Sequence, residues 1–254
     1  MTTDPIRYEV AGGVATVTLN RPEHGNALNW PLVQRLGDVV HEVGHDDAVR
    51  AVLLRAEGAQ FCVGGDINAI RRQGNRGRAV YELADTAHRA VRGLADLEKV
   101  VVVAVQGAAA GAGLALVLLA DVVIAAESAT FTTAYTAIGL TPDCGLSWLL
   151  PRAIGTVKAL DLTLRPRRIT AEDAAQLGIV STVVADDVLR DEAGAAVRRF
   201  AAGPHRAYGV ARRLIRTSTA DGFDAHLDLE AEQIAARADS AASRELVESF
   251  FRRV

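Results

Sequence analysis

The stretch VVVVAVQGAAAGAGLALVLLA, residues 100–120, decides how this chain is expected to fold. Its first six residues are apolar and mostly β-branched, which is typical of a strand covered on both faces of a sheet. A glycine-rich loop, residues 107–113, follows directly, and the apolar run at 114–120 predicts a helix. A further strand is predicted at residues 122–125. This order of strand, loop and helix indicates an α/β protein.

The same alternation extends toward the N-terminus. Strands are predicted at residues 6–10, 14–19 and 51–55, and helices at residues 30–44 and 78–98. Gly12 and Gly13 separate the first two strands, so these form a hairpin. The tract RRQGNRGR, residues 71–78, is interpreted as a solvated loop.

Beyond Pro204 the pattern is helical without strands, and helices are predicted at residues 207–217, 223–238 and 243–252. We therefore predict a core in residues 1–200 and a helical region in residues 201–254. The apolar positions of a thin helical layer favour packing on a neighbouring subunit.

Composition excludes several functional classes. The 254 residues carry a formal net charge of −3, which offers no overall field for nucleic acid or an acidic membrane. The longest apolar run is too short to span a bilayer, and the N-terminus lacks signal-peptide features, so a cytoplasmic protein is expected. Cys62 and Cys144 are expected to be reduced thiols, and no Cys/His cluster predicts a metal site.

Two loops rich in small residues each lead into a predicted helix. The first is FCVGGDI, residues 61–67, and the second is residues 107–113. One backbone N–H from each loop can form an oxyanion hole, which stabilises negative charge on a carbonyl oxygen. Ordinary tight turns remain an equal alternative for each loop alone. The second loop matches a dinucleotide fingerprint only weakly, because a third glycine is missing.

The sequence resembles the crotonase (enoyl-CoA hydratase/isomerase) superfamily. The resemblance is carried by LNRP at residues 19–22, NALN at 26–29, both glycine-rich loops, and IGLTPDCG at 138–145, and it extends over nearly the whole chain. It implies a spiral of repeated ββα units with a C-terminal helical trimerisation region. It also implies an acyl-CoA or enoyl-CoA substrate, no separate cofactor, and a homotrimer or dimer of trimers.

The resemblance assigns the oxyanion donors to the backbone N–H groups of Gly65 and Ala112. The two hydratase glutamates fall on Ala115 and Tyr135, which cannot accept a proton near neutral pH. Asp143 falls where isomerases of the superfamily, including phenylacetate-pathway isomerases, keep one catalytic carboxylate. Residues implied in substrate binding are Ala27, Gly64, Asp66, Ile67, Asn68, Gly111 and Tyr135.

Alternatives stay open for several of these residues. Asp143 or Asp66 can be a helix N-cap, and Tyr135 can be a core residue. Arg21 and the 71–78 tract are candidates for binding the phosphates of coenzyme A. An apolar setting of Ile138, Leu140, Leu146 and Trp148 is expected to strengthen Asp143 as a base.

The predicted function is isomerisation of a 3-enoyl-CoA to a 2-enoyl-CoA, in fatty-acid or aromatic-acid degradation. The alternatives are weak hydratase activity, an acyl-CoA hydrolase or dehalogenase with Asp143 as nucleophile, and an acyl-CoA-binding protein without activity.

Overall fold

The fold is built on a six-stranded sheet in a computed structural model that describes residues 4–72 and 74–218. In order across the sheet, its strands are β1 (Ile6–Ala11), β2 (Val14–Leu19), β3 (Ala51–Ala56), β4 (Val100–Val105), β6 (Val122–Ala126) and β9 (Thr182–Val184). The hairpin of β1 and β2 is antiparallel, and every other neighbouring pair is parallel.

A smaller sheet runs beside the first and joins successive turns of the chain. It contains β5 (Ala108–Ala110), β7 (Thr130–Thr132) and β8 (Ile169–Thr170). Two isolated parallel bridges, Leu28 to Gly65 and Cys62 to Ala109, link the earlier turns in the same way. The expected spiral of ββα units is therefore confirmed.

Helices cover both faces of the large sheet. They are α1 (Trp30–His45), α2 (Ile67–Arg71), α3 (Arg76–Asp96), α4 (Ala112–Leu118), α5 (Leu146–Ile154), α6 (Thr156–Leu164), α7 (Ala171–Gln176), α8 (Leu189–Ala202) and α9 (His205–Thr217). On β4, Val101 and Val103 belong to the core beneath α1 and α3, whereas Val100 and Val102 face α8. This double burial explains why the β4 sequence is wholly apolar.

Two helices that border the site begin earlier than predicted. α3 begins at Arg76, because the Asn75 side chain accepts a hydrogen bond from the Arg78 N–H and caps the helix. Part of the tract predicted as a loop is therefore helical. α4 begins at Ala112, two residues earlier than predicted, after Gly111 at φ +54°. Ala112 is thus the first residue of a helix, so its N–H group has no acceptor within that helix.

Of the three helices predicted after Pro204, the one at residues 207–217 is confirmed, because it corresponds to α9. The helices predicted at 223–238 and 243–252 lie outside the described residues. Among the residues that the structure describes, no helix is long and apolar enough to cross a membrane.

Candidate active site

The two glycine-rich loops lie side by side because they pair through their backbones. The Cys62 N–H donates to the Ala108 carbonyl at 3.1 Å, and the Ala110 N–H donates to the Cys62 carbonyl at 2.9 Å. A Cβ atom at Gly113 would clash with the Cys62 carbonyl oxygen, so only glycine lets the first turn of α4 approach this closely.

A glycine with a positive φ angle precedes each of the two candidate donors. Gly64 has φ +97° and Gly111 has φ +54°, a region that favours glycine. The N–H groups that follow, of Gly65 and Ala112, donate to no protein atom among the described residues. For Ala112 this is expected, because the first N–H groups of a helix have no intrahelical acceptor. Both donors are free to bind an oxygen atom of a ligand.

A mostly apolar pocket contains both donors and Asp143. One wall comes from α3, at Val80, Leu83, Ala84 and Ala87, and Ile138 and Leu140 also line the pocket. Asp143 is the one carboxylate among the described residues that line this pocket. It is therefore the candidate acid/base group among these lining residues.

Tyr135 and Asp143 form a hydrogen-bonded pair inside the pocket. The Tyr135 hydroxyl donates to Oδ1 of Asp143 in a short contact. Burial, and then the nearby charge of Asp143, raise the pKa of Tyr135 far above its ordinary value. The phenol therefore stays protonated and acts as a donor rather than as a base.

Asp143 is not a helix cap. The N-cap of α5 is Gly145, at φ +82°, and no side chain caps this helix. The cap alternative for Asp143 is therefore wrong. The backbone after Asp143 is instead held by α3, since the Cys144 N–H donates to Nε2 of His88 at 3.3 Å while Cys144 has φ +51°. This role of His88 was not predicted, because its partner Cys144 is 56 residues away in the sequence.

Asp66 and Arg21 brace the first loop. The Asp66 side chain caps α2 by accepting from the Ala69 N–H at 2.9 Å, and it pairs with Arg21 at 3.1 Å. Burial alone would raise the pKa of Asp66, but the Ala69 hydrogen bond and Arg21 together lower it. Arg21 also donates to the Ala27 carbonyl. Its guanidinium is thus engaged by the protein, which opposes the expected role in phosphate binding.

Asn26, the first residue of the NALN motif, has a structural role. Its fully buried side chain accepts from the Arg21 N–H at 2.8 Å and donates to the carbonyls of Glu57 and Gln60 at 2.9 and 2.8 Å. Asn26 also adopts φ +55°, a conformation that asparagine tolerates better than most residues. It therefore fixes the first turn of the spiral against the segment leading into the first loop.

The structure brings most of the predicted site residues together. Those lining the pocket are Gly64, Gly65, Ile67, Gly111, Ala112, Tyr135 and Asp143, whereas Ala27, Asp66 and Asn68 lie beside it. Trp148 was expected to form part of the apolar surroundings of Asp143. This expectation is wrong, because the side chain is 58% exposed and stacks under Arg152. The α3 wall was missed, although residues 80, 83, 84 and 87 have helical spacing.

The fold and this pocket define an α/β protein of spiral ββα architecture with two free backbone donors and a carboxylate in one pocket. No group of metal-ligating side chains occurs within residues 4–72 and 74–218. The model of the enoyl-CoA hydratase/isomerase family matches residues 9–253. The chain belongs to this family, whose members act on coenzyme A thioesters.

Individual proteins are similar over nearly the whole chain. A 1,2-epoxyphenylacetyl-CoA isomerase from Escherichia coli is 39% identical, covering 96% of this chain and 94% of that protein. A protein named as a probable enoyl-CoA hydratase from Rhodobacter capsulatus is 36% identical, with coverage of 96% and 94%. A solved structure described as an enoyl-CoA hydratase/isomerase from Mycobacterium abscessus has a TM-score of 0.94 at 34% identity, covering 98% of this chain and 96% of that one.

Proposed function

We propose that this protein moves the carbon–carbon double bond of an enoyl-CoA from position 3 to position 2, with Asp143 as the only acid/base. The observation that carries the proposal is the presence of Asp143 in one pocket with the free N–H groups of Gly65 and Ala112. One carboxylate suffices for isomerisation, because the proton removed is also the proton returned.

The reaction takes two proton transfers. Asp143 takes a proton from carbon 2, and the electron pair moves through carbons 1 and 2 onto the thioester oxygen. The Gly65 and Ala112 N–H groups stabilise the resulting negative charge. Asp143 then returns the proton to carbon 4, which leaves the double bond between carbons 2 and 3. No water is consumed.

Hydration is disfavoured by the residues at the two hydratase positions. Ala115 is fully buried in α4 and does not line the pocket, and the Tyr135 phenol is held as a donor to Asp143. Neither can activate water. A hydratase would need a second acid/base to deliver both parts of the water molecule.

The proposal is tested by Asp143→Asn, with Asp38→Asn on the exposed face of α1 as the control. The assay follows conversion of a 3-enoyl-CoA to the conjugated 2-enoyl-CoA. We expect the rate to fall about 10²–10⁴-fold in Asp143→Asn, while a saturated acyl-CoA binds as before. Full activity in this variant would contradict the proposal, as would hydratase turnover faster than isomerisation in the parent protein.

A second candidate reaction is isomerisation of 1,2-epoxyphenylacetyl-CoA, favoured by the 39% identity to the E. coli enzyme of that name. The same two variants should be assayed with this substrate. Mass spectrometry of the protein during turnover tests the nucleophilic alternative, because an acyl adduct on Asp143 would replace acid/base catalysis by a covalent mechanism.

We also propose a homotrimer or dimer of trimers. Support comes from large apolar side chains that α5 and α6 leave exposed in one chain: Trp148, Val157, Leu160 and Leu164 are 58%, 82%, 53% and 67% exposed. Such a surface favours an interface. Light scattering of the purified protein tests this, and a monomer at micromolar concentration would contradict it.

A further inference from the structure

The Tyr135 side chain touches both halves of the candidate active site. Its hydroxyl donates to Oδ1 of Asp143. Its ring lies against Gly111, since a Cβ atom built on Gly111 would stand 3.5 Å from the ring carbon Cε2. Gly111 is the residue before Ala112, whose N–H is a candidate oxyanion donor. One side chain therefore connects the carboxylate to the second oxyanion loop.

Hydrogen bonds on both sides of Tyr135 hold its backbone segment in place. The Tyr135 N–H donates to the Thr133 carbonyl at 2.8 Å, and its own carbonyl accepts from the Leu140 N–H at 3.0 Å. Thr133 is buried and donates through its hydroxyl to the Leu162 carbonyl at 2.8 Å. Ala134 adopts φ +60°, which a non-glycine residue keeps only when its surroundings impose it.

From this geometry we infer that Tyr135 is a positioning residue for the proposed isomerisation. Its hydroxyl holds Oδ1 of Asp143, so that Oδ2 is the oxygen left to carry the proton. Its ring packs against Gly111, the residue before Ala112, and so keeps the carboxylate at a fixed position relative to the Ala112 N–H. The inference rests on the proposed function, because it assigns Asp143 as the base.

A donor to the carboxylate also has an electrostatic effect. A hydrogen bond from an O–H stabilises the ionised form of a carboxylate relative to its acid form. Removing the hydroxyl deletes this stabilising hydrogen bond and lets the carboxylate rotate. Tyr135→Phe is a suitable change, because it deletes the hydroxyl and keeps the ring that packs on Gly111.

The experiment compares Tyr135→Phe with Tyr81→Phe, a matched change on α3 where the tyrosine is 72% exposed. The readouts are kcat and KM for a 3-enoyl-CoA as functions of pH. For Tyr135→Phe we expect kcat to fall about tenfold, KM to change less than twofold, and the acid limb of kcat/KM to move up by about one pH unit. Tyr81→Phe should leave all three unchanged.

A second variant tests the direction of the electrostatic effect. Replacing Tyr135 with 3-fluorotyrosine gives a more acidic phenol and thus a stronger donor, so the acid limb should move to lower pH than in the parent protein. An acid limb that stays in place in both variants would overturn the inference. So would a change confined to KM, which indicates substrate contact rather than positioning.

Failure of the inference and failure of the proposed function give different results. If Asp143→Asn abolishes turnover but Tyr135→Phe behaves like Tyr81→Phe, Asp143 remains the base and the positioning role is refuted. If Asp143→Asn is fully active, the proposed function itself fails.

Discussion

The Arg212 guanidinium binds both carboxylate oxygens of Asp121 through Nε, at 2.9 and 2.7 Å. Its terminal nitrogens donate to three carbonyls at the end of α3, those of Leu94, Ala95 and Leu97. This one side chain therefore joins α9 to the end of α3 and to the junction between α4 and β6. Both α3 and α4 contribute residues to the pocket, so the contact stabilises the scaffold of the site.

Arg212→Met should destabilise the protein by about 3–5 kcal/mol, because it leaves three carbonyls without their donor and leaves Asp121 with Arg216 as its remaining ion-pair partner. The Arg212 side chain is only 4% exposed, so water cannot replace it easily. Denaturant unfolding measures the loss. Arg78→Met, which removes an exposed ion pair with Glu82, is the control and should leave the midpoint unchanged. Equal effects of the two changes would contradict this account.

Gly113→Ala should prevent the two glycine-rich loops from packing, because the added Cβ meets the Cys62 carbonyl oxygen. We expect a large loss of folded protein, measured by yield and circular dichroism. Gly65→Ala is the matched change, since a Cβ there has no atom within 4 Å and the φ angle is not positive. It should fold normally. A stable Gly113→Ala variant with full activity would show that the loops can separate without consequence.

Replacing Ala112 by lactic acid converts its amide to an ester and deletes one N–H without changing the side chain. Because this N–H has no intrahelical acceptor, stability should change little, while the isomerisation rate should fall about 10²–10³-fold. The same exchange at Ala115 deletes an N–H that donates to the Gly111 carbonyl at 3.1 Å. That variant should lose stability, because it loses a hydrogen bond of the helix. An Ala112 ester with parental kcat would remove Ala112 from the oxyanion hole.

Asp66 should make stability depend on pH. Its pKa is lower in the folded protein than the value near 3.9 of an unfolded chain, so the ionised group stabilises the fold above about pH 4 and this contribution disappears as the pH falls through the folded pKa. Asp66→Asn keeps a residue that can cap α2 but removes this titration. Unfolding midpoints of the two proteins should differ most above about pH 5 and converge toward pH 2. A difference that does not vary with pH would contradict the assignment.

Both cysteines should be unreactive in the folded protein. Cys62 is fully buried and Cys144 is 2% exposed. Burial raises the pKa of Cys62 to about 12, and burial together with the Asp143 charge raises that of Cys144. An aromatic disulfide reagent at pH 8 should therefore label neither thiol until denaturant is added, when both should react. Rapid labelling of Cys144 in the native protein would show that its loop opens.

Five strands, the two glycine-rich loops and the family could be predicted from the sequence alone, whereas the short strands β5, β7, β8 and β9 were not predicted. The predicted features are local properties: apolar runs, helical periods and short motifs lie within a few residues of one another, and the predicted strand at residues 100–105 and helix at residues 30–44 agree with the structure nearly to the residue. The substitutions at Ala115 and Tyr135 could also be read directly. Together with the position of Asp143 in the family pattern, they made Asp143 the candidate acid/base.

The contacts that these residues make depend on the tertiary structure. The partners of Asp143, Cys144 and Asp121 lie 8, 56 and 91 residues away in Tyr135, His88 and Arg212. Such contacts depend on how the turns of the spiral stack, and on backbone angles at Ala134 and Cys144 that their residue types do not favour. Packing imposes these angles, so local sequence preference could not reveal that Tyr135 contacts both Asp143 and the oxyanion loop.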